Sequence, residues 1–176
     1  MIQIKNAAEL QKMRKACAIS AAALKAGGEA IEPGITTAEI DKIIYDFIVR
    51  HGARPNFLHL YGFPATACIS VNDTVIHGIP NKQQQIRPGD IVSIDTGCKI
   101  DGFNGDNACT YACGKIDLEA QRLLDVTKES LHRGIEMACG GNRVGDIGHA
   151  VQSYVEENGF SVVRTFVGHG VGKELH

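Results

Sequence analysis

With 176 residues, 44% of them hydrophobic and 22% charged, the chain can hold one domain with a sizeable core and has the make-up of an ordinary globular protein. A formal net charge of −2 provides no field to hold nucleic acid or anionic lipid, so neither is an expected partner. No apolar run approaches the roughly eighteen residues a membrane span needs, and the charged start MIQIKNAAELQKMRK lacks the apolar stretch of a signal peptide.

Asn6 with Glu9 predicts a helix start, and Leu10, Met13, Cys17, Ala21 and Leu24 then form one apolar stripe. That helix is expected to end near Gly27-Gly28, with a turn at Glu32-Pro33-Gly34. Thr36 and Glu39 predict a second capped helix with Ile40, Ile43, Ile44, Phe47 and Ile48 on its core face, stopped by His51-Gly52. Residues 54–115 read as strands. Residues 67–71 form one, Asn72-Asp73 turns, Val75-Ile76-His77 begins a return, and 83–90 is a loop ending in Pro88-Gly89.

The richest stretch is 91–111, IVSIDTGCKIDGFNGDNACTY. Asp101-Gly102 is the dipeptide a tight hairpin prefers, and it would face Ile100 with Phe103 and Asp95 with Ala108. Asp95 and Asp106 then emerge on one face as diagonal neighbours, roughly 5–8 Å apart. Two carboxylates at that range repel unless a proton or a cation lies between them. A divalent cation is the sharper reading; two solvated aspartates near a turn are the plainer one. A calcium loop is excluded, because positions one, three and five from Asp95 are Asp, Gly and Lys.

A helix from about 118 to 139, carrying Leu124, Leu131 and Ile135, precedes a break at Gly140-Gly141. The next helix carries Ile147, Ala150, Val151, Tyr154 and Val155. At an offset of 107 these match Ile40, Ile43, Ile44, Phe47 and Ile48, while Gly141 matches Gly34 and Gly159 matches Gly52. Duplication explains the shared phase and the shared glycines. Each half is expected to be two helices followed by antiparallel strands, an α+β fold with helices packed on one side of a curved sheet and a pseudo-twofold repeat. The counterpart of everything after residue 69 is absent from the second half. The expectation is one catalytic domain over 1–176 with an incomplete second half, to be completed by about 45 or more further residues.

The six cysteines (Cys17, Cys68, Cys98, Cys109, Cys113 and Cys139) show no CxxC pair and read as mostly buried, reduced thiols of a cytoplasmic protein. Among the seven histidines, His169 is flanked by glycines in VGHGVG, His176 follows seven residues on, and His77 stands in IHGIP. His59, in the His59-Leu60-Tyr61 run, reads as structural. A Gly-flanked histidine is more often a turn residue than a ligand, and Gly168, Gly170 and Gly172 do not match a phosphate-binding GxGxxG.

Four segments carry a family resemblance: GFPATACISVNDTVIHGIP at 62–80, RPGDIVSIDTGCKIDGFNGDNACTY at 87–111, VGHG at 167–170 and GVGKELH at 170–176. Together they resemble the type I methionine aminopeptidases over nearly the whole chain. The resemblance implies the pita-bread fold and metal-dependent removal of the initiator methionine from nascent proteins. It implies two divalent ions, with Asp95 chelating one, Asp106 bridging both and His169 on the other. His77 and His176 would contact the substrate at the scissile peptide, and Phe63, Cys68 and Leu175 would shape the methionine pocket. The hard donor set suits Mn, Fe(II) or Co, with Zn also open. The family pattern has two further glutamate ligands downstream of His176, and Glu174, inside the matched GKELH, does not replace them. Weak or no catalysis is therefore expected of these 176 residues alone. The expected partners are N-termini of nascent polypeptides, with ribosome association in view, for a monomer touching neither nucleic acid nor membrane. Two other readings stay open: a proline-type aminopeptidase or prolidase of the same fold, and a non-catalytic binding protein that kept it.

Overall fold

A computed structural model describes residues 3–176. The chain runs α1 (Ala7–Glu29), α2 (Thr37–Arg50), β1 (Arg54–Pro55), a short 3-10 turn (Leu60–Gly62), β2 (Ala67–Val71), β3 (Ile91–Ile100), β4 (Phe103–Ala112), α3 (Leu118–Glu136) and α4 (Val144–Glu157). It divides into two compact units, Met1–Ile116 with His169–His176, and Asp117–Gly168.

In the first unit, β3 is the central strand. It pairs antiparallel with β4 along one edge and with β1 and β2, end to end, along the other. Even-numbered β3 residues (Val92, Ile94, Thr96 and Cys98) are buried on the face that α1 crosses, while Ser93 and Asp95 point to the other. Both predicted capping boxes are present. The Glu9 N–H donates to Asn6 Oδ1 at 3.0 Å and the Asn6 N–H to Glu9 Oε2 at 3.1 Å; Thr36 and Glu39 exchange bonds of 2.8 and 3.2 Å. Ile40, Ile44 and Ile48 of α2 are fully buried, each stabilising by roughly 1.5–3 kcal/mol over exposure.

The face that α1 buries differs from the predicted stripe. Of that stripe Leu24 is buried, Met13 and Cys17 are half-buried, and Leu10 and Ala21 are exposed, whereas Ala16, Ser20, Ala23, Gly27 and Gly28, outside it, are buried. Close approach is the reason. A Cβ on Gly27 would stand 2.7 Å from Ile44, one on Gly28 2.1 Å from the Tyr111 ring, and one on Gly105 of β4 2.5 Å from the Ala16 carbonyl oxygen. α1 ends at Glu29, beside Gly27 and Gly28 as expected, and the two glycines are contact points in its last turn.

Residues 75–77 form no return strand. Asn72 turns the chain at φ +53°, and the next segment meets β2 through backbone bonds from the Thr74 N–H to Val71 O at 3.1 Å and from the Ile69 N–H to Gly78 O at 2.8 Å. Val75 and Ile76 stay exposed.

In the second unit, α4 occupies the residues of α2 displaced by 107. Gly34 and Gly141 share φ +98°, and Gly52 and Gly159 have φ +72° and +79°. The helix contact repeats as well: a Cβ on Gly134 would meet Val151 at 2.8 Å and Ile147 at 3.5 Å, matching Gly27 against Ile44 and Ile40. Here too the predicted face is rotated, because Val126, Ser130 and Gly134 are buried while Leu131 and Ile135 are each 58% exposed. α3 ends at Glu136, and no strand follows α4 among the described residues. Three of the six free cysteines (Cys68, Cys98 and Cys113) are buried, but Cys109 and Cys139 are exposed, against the reading of mostly buried thiols.

Candidate metal centre

The β3–β4 hairpin turns at Asp101 and Gly102, whose φ values of +52° and +83° are those of a primed two-residue turn. The register follows: Asp95 faces Ala108 and Gly97 faces Asp106. Asp95 and Asp106 therefore meet diagonally on the face away from α1, and a Cβ on Gly97 would stand 2.9 Å from Gly105 O and 3.0 Å from the Asn56 amide nitrogen. Cys68 of β2 lies directly across from Asp95 on its other side.

These groups line a cavity of about 550 Å³ in the first unit, together with His77, His169 and His176. Phe57, Leu60, Tyr61, Phe63, Pro64 and Ile79 make its apolar wall. His169 Nε2 stands 3.6 Å from Asp106 Oδ2, and the His169 and His176 rings meet edge to face with centroids 4.6 Å apart. A second hollow of about 510 Å³ lies beside Glu39, Lys42 and Asp46; there Lys42 and Asp46 pair at 2.7 Å and no donors converge.

Burial, then the charge and hydrogen bond of Asp106, push the Asp95 carboxyl up to about 7, with His169 pulling the other way. Burial also raises Asp106, restrained by His169, Asp95 and His176. The pair is thus crowded in a partly dry site, where a cation would favour the doubly ionised form. Burial and the Asp95, Asp106 and Asp41 charges push the Cys68 thiol up to about 12. It is neutral at physiological pH and belongs to the wall, not to a nucleophile.

Among the described residues, no three His, Cys, Asp or Glu side chains stand ready to hold a metal ion. Asp95, Asp106 and His169 nonetheless share one cavity, and two carboxylates with one imidazole are a donor set that suits a hard or borderline divalent ion. The chemistry of the donors fits, although the cage is not preset.

His77 reaches the cavity from a backbone at φ +58°. The Gly78 N–H donating to Ser70 Oγ at 3.1 Å and the Ile69 bond to Gly78 hold that conformation. Phe63 and Cys68 line the cavity as predicted, whereas Leu175 is half-buried and not among the lining residues. His59 stays off the cavity, at φ +69°, with its N–H donating to Phe63 O at 2.8 Å. Its neighbours Leu60 and Tyr61 line the cavity, and nothing in their spacing signals that. Asp41 of α2 also escaped the sequence reading. It accepts the Thr66 and Ala67 N–H groups at 2.9 and 2.8 Å, just before Cys68.

Comparison with known proteins agrees with this geometry. Residues 11–176 match the model of metallopeptidase family M24. Methionine aminopeptidase of Clostridium perfringens is 51% identical over the whole chain, which spans 70% of that protein. Methionine aminopeptidase 1 of Bacillus subtilis is 46% identical, with the chain spanning 71% of it. The crystal structure of methionine aminopeptidase from Rickettsia prowazekii superposes on all of this chain, and on 71% of its own, with TM-score 0.97 at 39% identity. The chain belongs to metallopeptidase family M24, among its methionine aminopeptidases. It has their pita-bread fold, which a prolidase from Pyrococcus furiosus also shares (TM-score 0.85, 24% identity, covering 98% of this chain and 50% of that one).

Proposed function

We propose that this site serves removal of the initiator methionine from nascent proteins, with Asp95, Asp106 and His169 as ligands of two divalent ions. The observation that carries the reading is the crowded, half-buried Asp95–Asp106 pair beside His169 in an apolar-walled cavity. Asp95 would serve one ion, Asp106 both, and His169 the other. Bound there, such ions would supply Lewis-acid polarisation and a water activated near neutral pH. Mn, Fe(II) and Co suit the donors, and Zn is within their range.

The remaining residues bind and orient. His77 and His176 line the cavity, and their imidazoles would donate hydrogen bonds to a substrate carbonyl or receive its amide as charge develops. Phe63 and Cys68 offer an apolar, uncharged wall to an unbranched thioether, with Leu175 in the same proposed role from outside the lining. Such work belongs in the cytoplasm, on N-termini leaving the ribosome, by a monomer.

Three side-chain donors are few for two ions, so the 176-residue chain by itself is expected to turn over weakly or not at all. Metal content by mass spectrometry separates an enzyme from a non-catalytic binder. A peptide panel separates a methionine aminopeptidase, cutting Met-Ala-Ser, from a proline-type peptidase, cutting Ala-Pro. Mn²⁺ titration of wild type and Asp106→Asn tests the ligand set: the variant should lose its binding heat, and unchanged binding would end the dinuclear reading.

A further inference from the structure

The segment that carries His169 and His176, 169–176, has neither helix nor strand. One buried residue of β4 fastens it. Asn104 is 2% exposed. Its backbone N–H donates to Gly172 O at 2.9 Å, and its side-chain Nδ2 donates to Gly172 O at 2.9 Å and to Lys173 O at 3.0 Å. Lys99, facing Asn104 across the hairpin, adds a bond from Nζ to Lys173 O at 2.9 Å. Lys173 in turn pairs with Glu9 of α1 at 2.8 Å. The pinned peptide lies between His169 and His176, and Asn104 lies two residues from Asp106 on one face of one strand.

We propose that Asn104 is a positioning residue: its side-chain amide pins the Gly172–Lys173 peptide to β4 and so sets where the His169 and His176 imidazoles stand against Asp106. The metal-affinity part of this inference rests on the proposed ligand set; the positioning part does not. The chemistry requires an amide. One nitrogen with two N–H donors meets two adjacent carbonyls, and a carboxylate or an aliphatic chain of the same size would leave Gly172 O with the Asn104 backbone N–H alone and Lys173 O with the Lys99 ammonium alone. Such supporting bonds commonly alter metal affinity by about 10–100-fold when removed.

Asn104→Asp keeps the shape and removes the donors. Three quantities are read in wild type and variant: amide hydrogen exchange over 170–175, the nuclear Overhauser contact between the His169 and His176 rings, and Mn²⁺ affinity by calorimetry. The variant should exchange at least about tenfold faster there, lose the ring contact and bind Mn²⁺ about 10–100-fold more weakly. Exchange and ring contact within twofold of wild type would overturn the proposal. If wild type takes up no Mn²⁺, the proposed metal function fails, while exchange and ring contact still decide the role of Asn104. If Asn104→Asp does not fold, Asn104→Ser, which buries no charge, is read the same way with the same refuting result.

Discussion

Asp41 offers the sharpest test of how the sheet is set against the site. Its carboxylate accepts the Thr66 and Ala67 N–H groups at 2.9 and 2.8 Å. Those residues are 1% and 0% exposed, so with Asp41 in place the two donors have no solvent partner. In Asp41→Ala each orphaned donor costs about 1–3 kcal/mol. Relief of the buried carboxylate offsets part of that, leaving a net loss of about 2–4 kcal/mol. With a urea m-value of about 1–3 kcal/mol/M, the midpoint should fall by about 1–2 M. Asp41→Asn keeps an acceptor oxygen and should hold most of the stability. Burial raises the Asp41 carboxyl above its ordinary value, the two backbone bonds opposing. A carboxyl raised on folding binds its proton more tightly in the native state. Its contribution is full below the unfolded value of about 4 and is lost as pH rises through the folded one. Wild-type stability should therefore decline from about pH 4 upward relative to Asp41→Asn. An Asp41→Ala midpoint equal to wild type, or parallel pH profiles for wild type and Asp41→Asn, would refute the reasoning.

Two further predictions concern packing and reactivity. Gly105→Ala places a Cβ 2.5 Å from Ala16 O and 2.7 Å from Cys17 N; both are backbone atoms of α1, so the variant should lose about 1–3 kcal/mol in urea unfolding. A thiol-alkylating reagent at pH 7.5 should label exposed Cys109 and Cys139 before Cys68, because burial and three carboxylates hold the Cys68 thiol up at about 12; peptide mapping showing Cys68 modified as early as Cys109 and Cys139 would contradict that.

Much of this protein is written locally. The capping residues Asn6, Glu9, Thr36 and Glu39 act within one turn, and Asp101-Gly102 closes its hairpin by its own backbone preference. Once that turn is set, the period of two places Asp95 beside Asp106. The offset of 107 is legible for the same reason, since matched glycines impose matched φ angles. Family motifs around Cys68, His77 and His169 pointed to one cavity, and these residues do line it.

What the sequence could not supply concerns contacts between distant segments. Hydrophobic periodicity favoured Leu10, Cys17 and Ala21 of α1, but helices that approach closely bury their smallest side chains, so Ala16, Ser20, Ala23 and Gly27 turned inward. Asp41 and Asn104 look like surface polar residues in the sequence. Only the folded chain brings Thr66, Ala67, Gly172 and Lys173 to them. Local preference determines turns, caps and alternation, because each is decided by a few neighbouring torsions. Tertiary structure decides which polar groups lose water and must find a partner, and that in turn determines where the imidazoles stand.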